Sequence, residues 1–136
     1  MAERKKSFQD LVVWQKSHQL AQDVYRITKK FPRNEKDGLT KLMRSTAISV
    51  PANLAHGFRR HSRRDKIQYY GMSRSYLEEL HYYFILARDL GLTKEYENLT
   101  ILIDEVGRML TRLIISVKNR SQSGPSRRPS DSGDSD

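Results

Sequence analysis

Four times along this chain, apolar side chains return at alternating steps of four and three residues, the interval that sets them on one face of an α-helix. From about Phe8 to Lys30 the seam is Val13, Ser17, Leu20, Val24, Ile27 and Phe31. From near Lys36 it is Leu39, Met43, Thr46, Val50, Asn53 and Gly57, with Ala47, Ala52, Leu54 and Ala55 beside it. From about Ser62 to Leu90 it is Tyr70, Ser73, Leu77, Leu80, Phe84 and Ala87, and the last is Leu99, Ile103, Val106, Leu110, Leu113 and Val117. No alternating strand pattern competes. Helices of roughly 20 to 28 residues span about 30 to 42 Å each, and short turns between them favour antiparallel neighbours. The expected fold is all-α: an antiparallel up-down-up-down four-helix bundle over residues 8–118, with a basic N-terminal extension at 1–7 and a disordered tail at 119–136.

The punctuation between seams agrees. Pro32 disfavours helical geometry at Phe31 and opens a short polar connection. Pro51 lies inside the second helix, where it removes one backbone donor and leaves the carbonyl of Ala47 without its usual partner. Asn53, close by, is placed to bond a freed carbonyl in its own helix or across the bundle. Ser62 and Thr93 are candidate caps for the third and fourth helices, and Gly91 ends the third. From Asn119 the composition turns to serine, glycine, proline and aspartate, which bury too little apolar surface to offset the entropy of ordering. In that tail Arg120, Arg127 and Arg128 balance Asp131, Asp134 and Asp136, so the positive excess belongs to the bundle.

That excess is large. The formal net charge is +9 and the sequence pI about 9.9, which directs attention to nucleic acid or another anionic partner. The 136 residues suit one domain. There is no cysteine, so disulfides and thiolate metal sites are excluded. No apolar run approaches the ~20 residues of a membrane span, and no apolar signal core is read near the N-terminus. A soluble cytoplasmic protein with no membrane partner is expected.

The densest positive charge is the turn after the second helix, where Arg59, Arg60, His61, Arg63, Arg64 and Lys66 follow one another. Up-and-down connectivity would bring this turn to the same end as Arg4, Lys5, Lys6, Lys118 and Arg120, against only Glu3, Asp10 and Asp65. These cations are the candidate nucleic-acid-binding residues, His61 being the one that titrates near neutrality. Contact with about five phosphates would make log affinity for duplex fall with log salt at a slope near −4.5. At the opposite end Lys29, Lys30, Arg33, Lys36 and Lys41 are offset by Glu35, Asp37, Glu95 and Glu97. A solvated, solubilising surface is the plainer alternative for either cluster.

Two helices carry a second stripe beside the first: Leu11, Trp14, His18, Ala21, Tyr25 and Thr28, and Tyr69, Met72, Tyr76, Tyr83, Leu86 and Leu90. A lone bundle needs one stripe per helix. Trp14, Tyr25, Tyr69, Met72, Tyr76 and Tyr83 are therefore the candidate residues of a homo-oligomer interface. The alternatives are that they complete the monomer's core or that Tyr69 or Tyr76 stacks on unpaired bases.

Chemistry is sparse. Glu78 and His81 form an ExxH pair without the second pair that a bundle carboxylate site uses. His56 and His61 lie five residues apart with no third ligand. Ser17 and His18 point about 100° apart on their helix, too divergent for a nucleophile and its base. No phosphate-cradling glycine motif and no HExxH is present. No enzyme activity, cofactor or metal is expected.

DLVVWQKSHQLAQDVYRITKKFP, SVPANLAHGF and YLEELHYYFILARDLG, in this order and spacing, resemble the four-helix-bundle proteins encoded by intervening sequences of bacterial 23S rRNA genes. The likeness covers about Phe8 to Lys118. That family is similar to the accessory variability determinant of diversity-generating retroelements, a basic pentamer that binds nucleic acid and a reverse transcriptase. The resemblance implies a non-enzymatic pentameric scaffold with RNA or DNA, its own copies and a reverse transcriptase or ribosome-associated protein as partners. It implies no catalytic residues. The chain departs from the pattern at His56, often glutamate, and at Ser75 and Tyr76, often glycine-serine.

Overall fold

The computed structural model describes residues 5–122. They form four helices: α1 (Val12–Thr28), α2 (Leu39–Arg59), α3 (Arg63–Asp89) and α4 (Tyr96–Gln122), with single 3-10 turns at Phe8–Asp10 and Arg33–Glu35. Cross-links between helices run in opposite residue order. In α2 and α3 they join Thr46 to Glu79 and Val50 to Ser73, in α1 and α4 Lys16 to Glu105 and Arg26 to Glu95, and in α3 and α4 Arg74 to Thr111 and His81 to Tyr96. Neighbouring helices are therefore antiparallel.

The seams of α1 and α3 are buried throughout. Leu20, Val24, Met43, Val50, Leu54, Leu80, Phe84, Val106 and Leu110 form the centre, each such side chain contributing about 1.5–3 kcal/mol by leaving water. Two expectations shift. In α4, Ile114 rather than Leu113 is buried, because 3.6 residues per turn drift past a strict heptad. In α2, Ala52 is exposed and Ala55 and Asn53 are half-buried, so these residues edge the core.

The helix boundaries have local causes. Before α1, Ser7 and Asp10 close a capping box in which Ser7 Oγ accepts from Gln9 N and Asp10 Oδ2 accepts from the backbone N–H groups of Lys6 and Ser7. This makes Phe8–Asp10 a separate turn, and the α-helix proper begins at Val12. The second helix starts at Leu39 instead of near Lys36: Gly38 has non-helical dihedrals, and Glu35 Oε1 accepts the otherwise orphaned N–H of Leu39. Ser62 Oγ caps α3 through Asp65 N, and Gly91, at φ 73°, takes the left-handed turn that ends it. Thr93 Oγ1 accepts from Glu95 N just before α4. The fourth helix continues to Gln122, past the expected limit at Lys118, since Asn119, Arg120, Ser121 and Gln122 contain no helix breaker. The remainder of the expected tail lies outside the described residues.

Pro51 sits within an unbroken α2. Asn53 Nδ2 donates to the carbonyl of Ser49, in its own helix but not the Ala47 carbonyl that the proline leaves. Ser73 Oγ, fully buried, donates to the carbonyl of Val50 at 2.8 Å and ties α3 to α2.

Tyr70 packs against Gly57 at the top of this helix pair. Its burial pushes the phenol from 10.0 up to about 12, a shift that nearby Arg120 partly opposes. The folded chain thus keeps a proton that the unfolded chain has lost, so stability that is complete below pH 10 should fall by roughly 2 kcal/mol as pH rises toward 12. Urea midpoints measured across this range should fall less steeply in Tyr70→Phe. An identical slope would show that the phenol titrates normally.

Candidate nucleic-acid interface

The chain connectivity brings cations from three separate segments to one end. The capping box holds Lys5 and Lys6 just ahead of α1, and Phe8 packs edge-on against Trp14 at 5.2 Å. This segment faces the α2–α3 turn across a concavity of about 730 Å³ lined by Lys5, Lys6, Phe8, Phe58, Arg59, Arg60, His61 and Lys66. From α4, Arg120 lies close enough to act on both Lys66 and Tyr70. Lys118 is exposed on the same last turns of α4. Arg4 lies outside the described residues.

Within the group the side chains divide by task. Lys66 Nζ donates to the carbonyls of Gly57 at 3.1 Å and Phe58 at 2.9 Å, capping the C-terminus of α2. Its pKa is lowered, first by burial and then by Arg120. Lys66 therefore serves the elbow between α2 and α3, a role that charge counting along the sequence does not show. Arg60 lies 4.9 Å above the ring of Tyr69, whose ring also stacks with His56 at 5.4 Å. Arg59, Arg60, His61 and Arg64 are exposed and Arg63 half-exposed. Among the described residues, none of these four arginines pairs with a carboxylate. Asp10 is occupied by backbone N–H groups, and Asp65 occupies the first turn of α3, where the helix dipole favours it.

The opposite end is tied internally. Arg26 makes a bidentate pair with Glu95 at 2.8 and 3.0 Å, which raises the arginine's pKa and lowers that of the carboxylate.

The second stripes do not gather into one patch. Trp14 and Tyr25 border a groove of about 650 Å³ between α1 and α2, whose other wall is Ile48, Pro51, Ala52 and Ala55. Trp14 stacks on His18 at 5.0 Å, and Arg44 covers Tyr25 at 4.6 Å while donating to Thr28 Oγ1. Tyr69, Tyr76 and Tyr83 are half-buried on α3 and Met72 is exposed. Tyr83 donates to Glu79 Oε2, which also accepts from Thr46, so this tyrosine helps join α3 to α2. The outward face of α2, with exposed Leu42, Ser45, Ile48 and Ala52, lies between the two aromatic ridges. Glu78 is exposed, and His81 Nε2 lies 3.3 Å from the hydroxyl of Tyr96. Among the described residues no group of three or more His, Asp or Glu converges to hold a metal, and no helix is long and apolar enough to cross a membrane.

The model of the 23S rRNA-intervening sequence protein family matches residues 9–112. The chain belongs to that family. Among solved structures it is similar to a protein of unknown function of the S23 ribosomal protein family from Bacteroides thetaiotaomicron VPI-5482, with 26% identity and a TM-score of 0.67 over 76% of this chain and 98% of that one. Among curated proteins none matches. The family match takes in the α2–α3 turn and most of the four helices, and stops before Lys118.

Proposed function

We propose that this family member is a non-enzymatic, self-associating scaffold that binds RNA or DNA through backbone phosphates at the basic end of its bundle. The observation that carries the reading is the concavity where Lys5 and Lys6 meet Arg59, Arg60 and His61, with the arginines of the turn unpaired by any described carboxylate. Solvated guanidinium groups without internal partners are free to exchange counterions for phosphates, and arginine's planar fork suits a phosphate's oxygens. Membership of a family named for 23S rRNA intervening sequences adds support for RNA. Nothing in the geometry reads base edges, so weak sequence preference is expected. Fluorescence anisotropy with a structured RNA and a DNA duplex over a salt series tests the reading, and a salt-insensitive signal would overturn it.

Self-association is assigned to the α1–α2 groove and the outward face of α2. Tyr25 and Ile48 are 41% and 46% exposed there beside small residues that permit close approach. The subunit number follows the family resemblance, a pentamer. Light scattering is expected to show an oligomer for the unaltered protein and a much smaller particle for Tyr25→Ala combined with Ile48→Glu. A monomer at tens of micromolar in the unaltered protein would remove this part of the proposal.

A further inference from the structure

A second set of arginines lies away from the basic end, in the groove between α3 and α4. Arg74 of α3 and Arg108 and Arg112 of α4 line it over a floor that includes Leu77, Ile103 and Gly107, in a volume of about 510 Å³. All three are exposed, and only Arg74 has a neighbour at bonding distance, Thr111 Oγ1 at 3.5 Å. Two of them have a carboxylate one helical turn away, Glu78 for Arg74 and Asp104 for Arg108, a spacing that ordinarily allows an ion pair. Neither pair forms.

The charges are sorted along the groove. Because α3 and α4 are antiparallel, Arg74 lies beside Thr111 and Leu77 beside Gly107, while His81 meets Tyr96 farther along. Arg74 and Arg112 thus occupy the half toward the basic end, and Glu78 and Asp104 the half away from it. Stepping back along the same face of α3 from Arg74 leads through Gly71 and Ile67 to Arg63 in the basic turn, about 16 Å along the axis at 1.5 Å per residue.

Resting on the reading of the basic end as a nucleic-acid surface, we propose that the phosphate path does not stop at the turn. It continues from Arg63 into the α3–α4 groove, where Arg74, Arg108 and Arg112 contact further phosphates of the same RNA or DNA, and Glu78 and Asp104 end it by repulsion. Arginines that only solubilised the surface would be indifferent to their order along the groove. Guanidinium groups that bury nothing and decline their nearest carboxylates remain available to an external anion.

The test compares variants by anisotropy over a salt series, with folding followed by circular dichroism. Arg74→Gln, Arg108→Gln and Arg112→Gln together should flatten the log affinity against log salt slope by about 2 to 2.7, at roughly 0.7 to 0.9 per lost phosphate contact. Glu78→Gln with Asp104→Asn should act in the opposite direction and tighten binding several-fold at low salt, a gain that damage to the fold would not produce. If the triple variant keeps the slope within about 0.5 of the original while variants of the turn lose it, the groove inference is wrong and the basic end stands. If the double variant leaves affinity unchanged, the sorted charges have no role and the inference is again overturned. If the unaltered protein shows no salt-dependent binding, the reading of the basic end falls first and this one with it.

Discussion

Replacing Arg59, Arg60, Arg63 and Arg64 with glutamine is expected to flatten the salt slope for duplex by about 3.6 and to weaken binding by roughly three orders of magnitude near 0.1 M salt. Each arginine that contacts a phosphate releases condensed counterions, and that release is the term that glutamine removes while keeping a long polar stem. The fold should persist. None of the four forms an ion pair among the described residues, glutamine and arginine have nearly equal helix propensity, and the one printed loss is the contact of Arg60 with Tyr69, worth about 0.5–1 kcal/mol at an exposed site. Lys66 is left in place because its ammonium holds the end of α2. A variant that binds as tightly and with the same slope would show that these arginines are a solvated surface.

The second large effect concerns Gly57. A Cβ at this position would lie 2.6 Å from Cε1 and 2.8 Å from Cδ1 of Tyr70, and 3.2 Å from Cβ of Tyr69. The ring of Tyr70 is only 2% exposed, so it has nowhere to go without moving α3. Gly57→Val should therefore destabilise by about 3 kcal/mol in urea unfolding, at the upper end of what overpacking costs. Gly57→Ala should lose less, because alanine regains up to about 1 kcal/mol of helix propensity over glycine. Valine tolerated without loss would mean that α2 and α3 do not approach here as described. Since the same glycine's carbonyl accepts from Lys66, the valine variant should also disturb the turn that presents Arg59 to Arg64 and weaken binding beyond its effect on stability.

Much of this architecture was legible in the residue order. Helix faces follow from a 3.6-residue period, so Val13 through Phe31 and Tyr70 through Ala87 were assigned to the core before any packing was known. Caps at Ser62 and Thr93 and the stop at Gly91 follow from local hydrogen bonding and dihedral preference, which act within one turn of chain. The start of α2 was less legible, because Glu35 acts on Leu39 from outside the helix. The use of Lys66 was not legible: its charge looks like that of its neighbours, and only the fold of the elbow shows that two carbonyls claim it. The arginines of the α3–α4 groove escaped notice because they are spread singly over two helices and form no run.

The residue order by itself determined four amphipathic helices, their approximate ends and a strongly positive chain, since each depends on interactions between residues a few positions apart. Tertiary structure decided which cations share a surface, which of them is consumed in holding a helix end, and where two helices touch through a glycine. Those outcomes depend on distances between segments far apart in the chain, set by how four apolar faces pack together, and periodicity within a single helix carries no information about them.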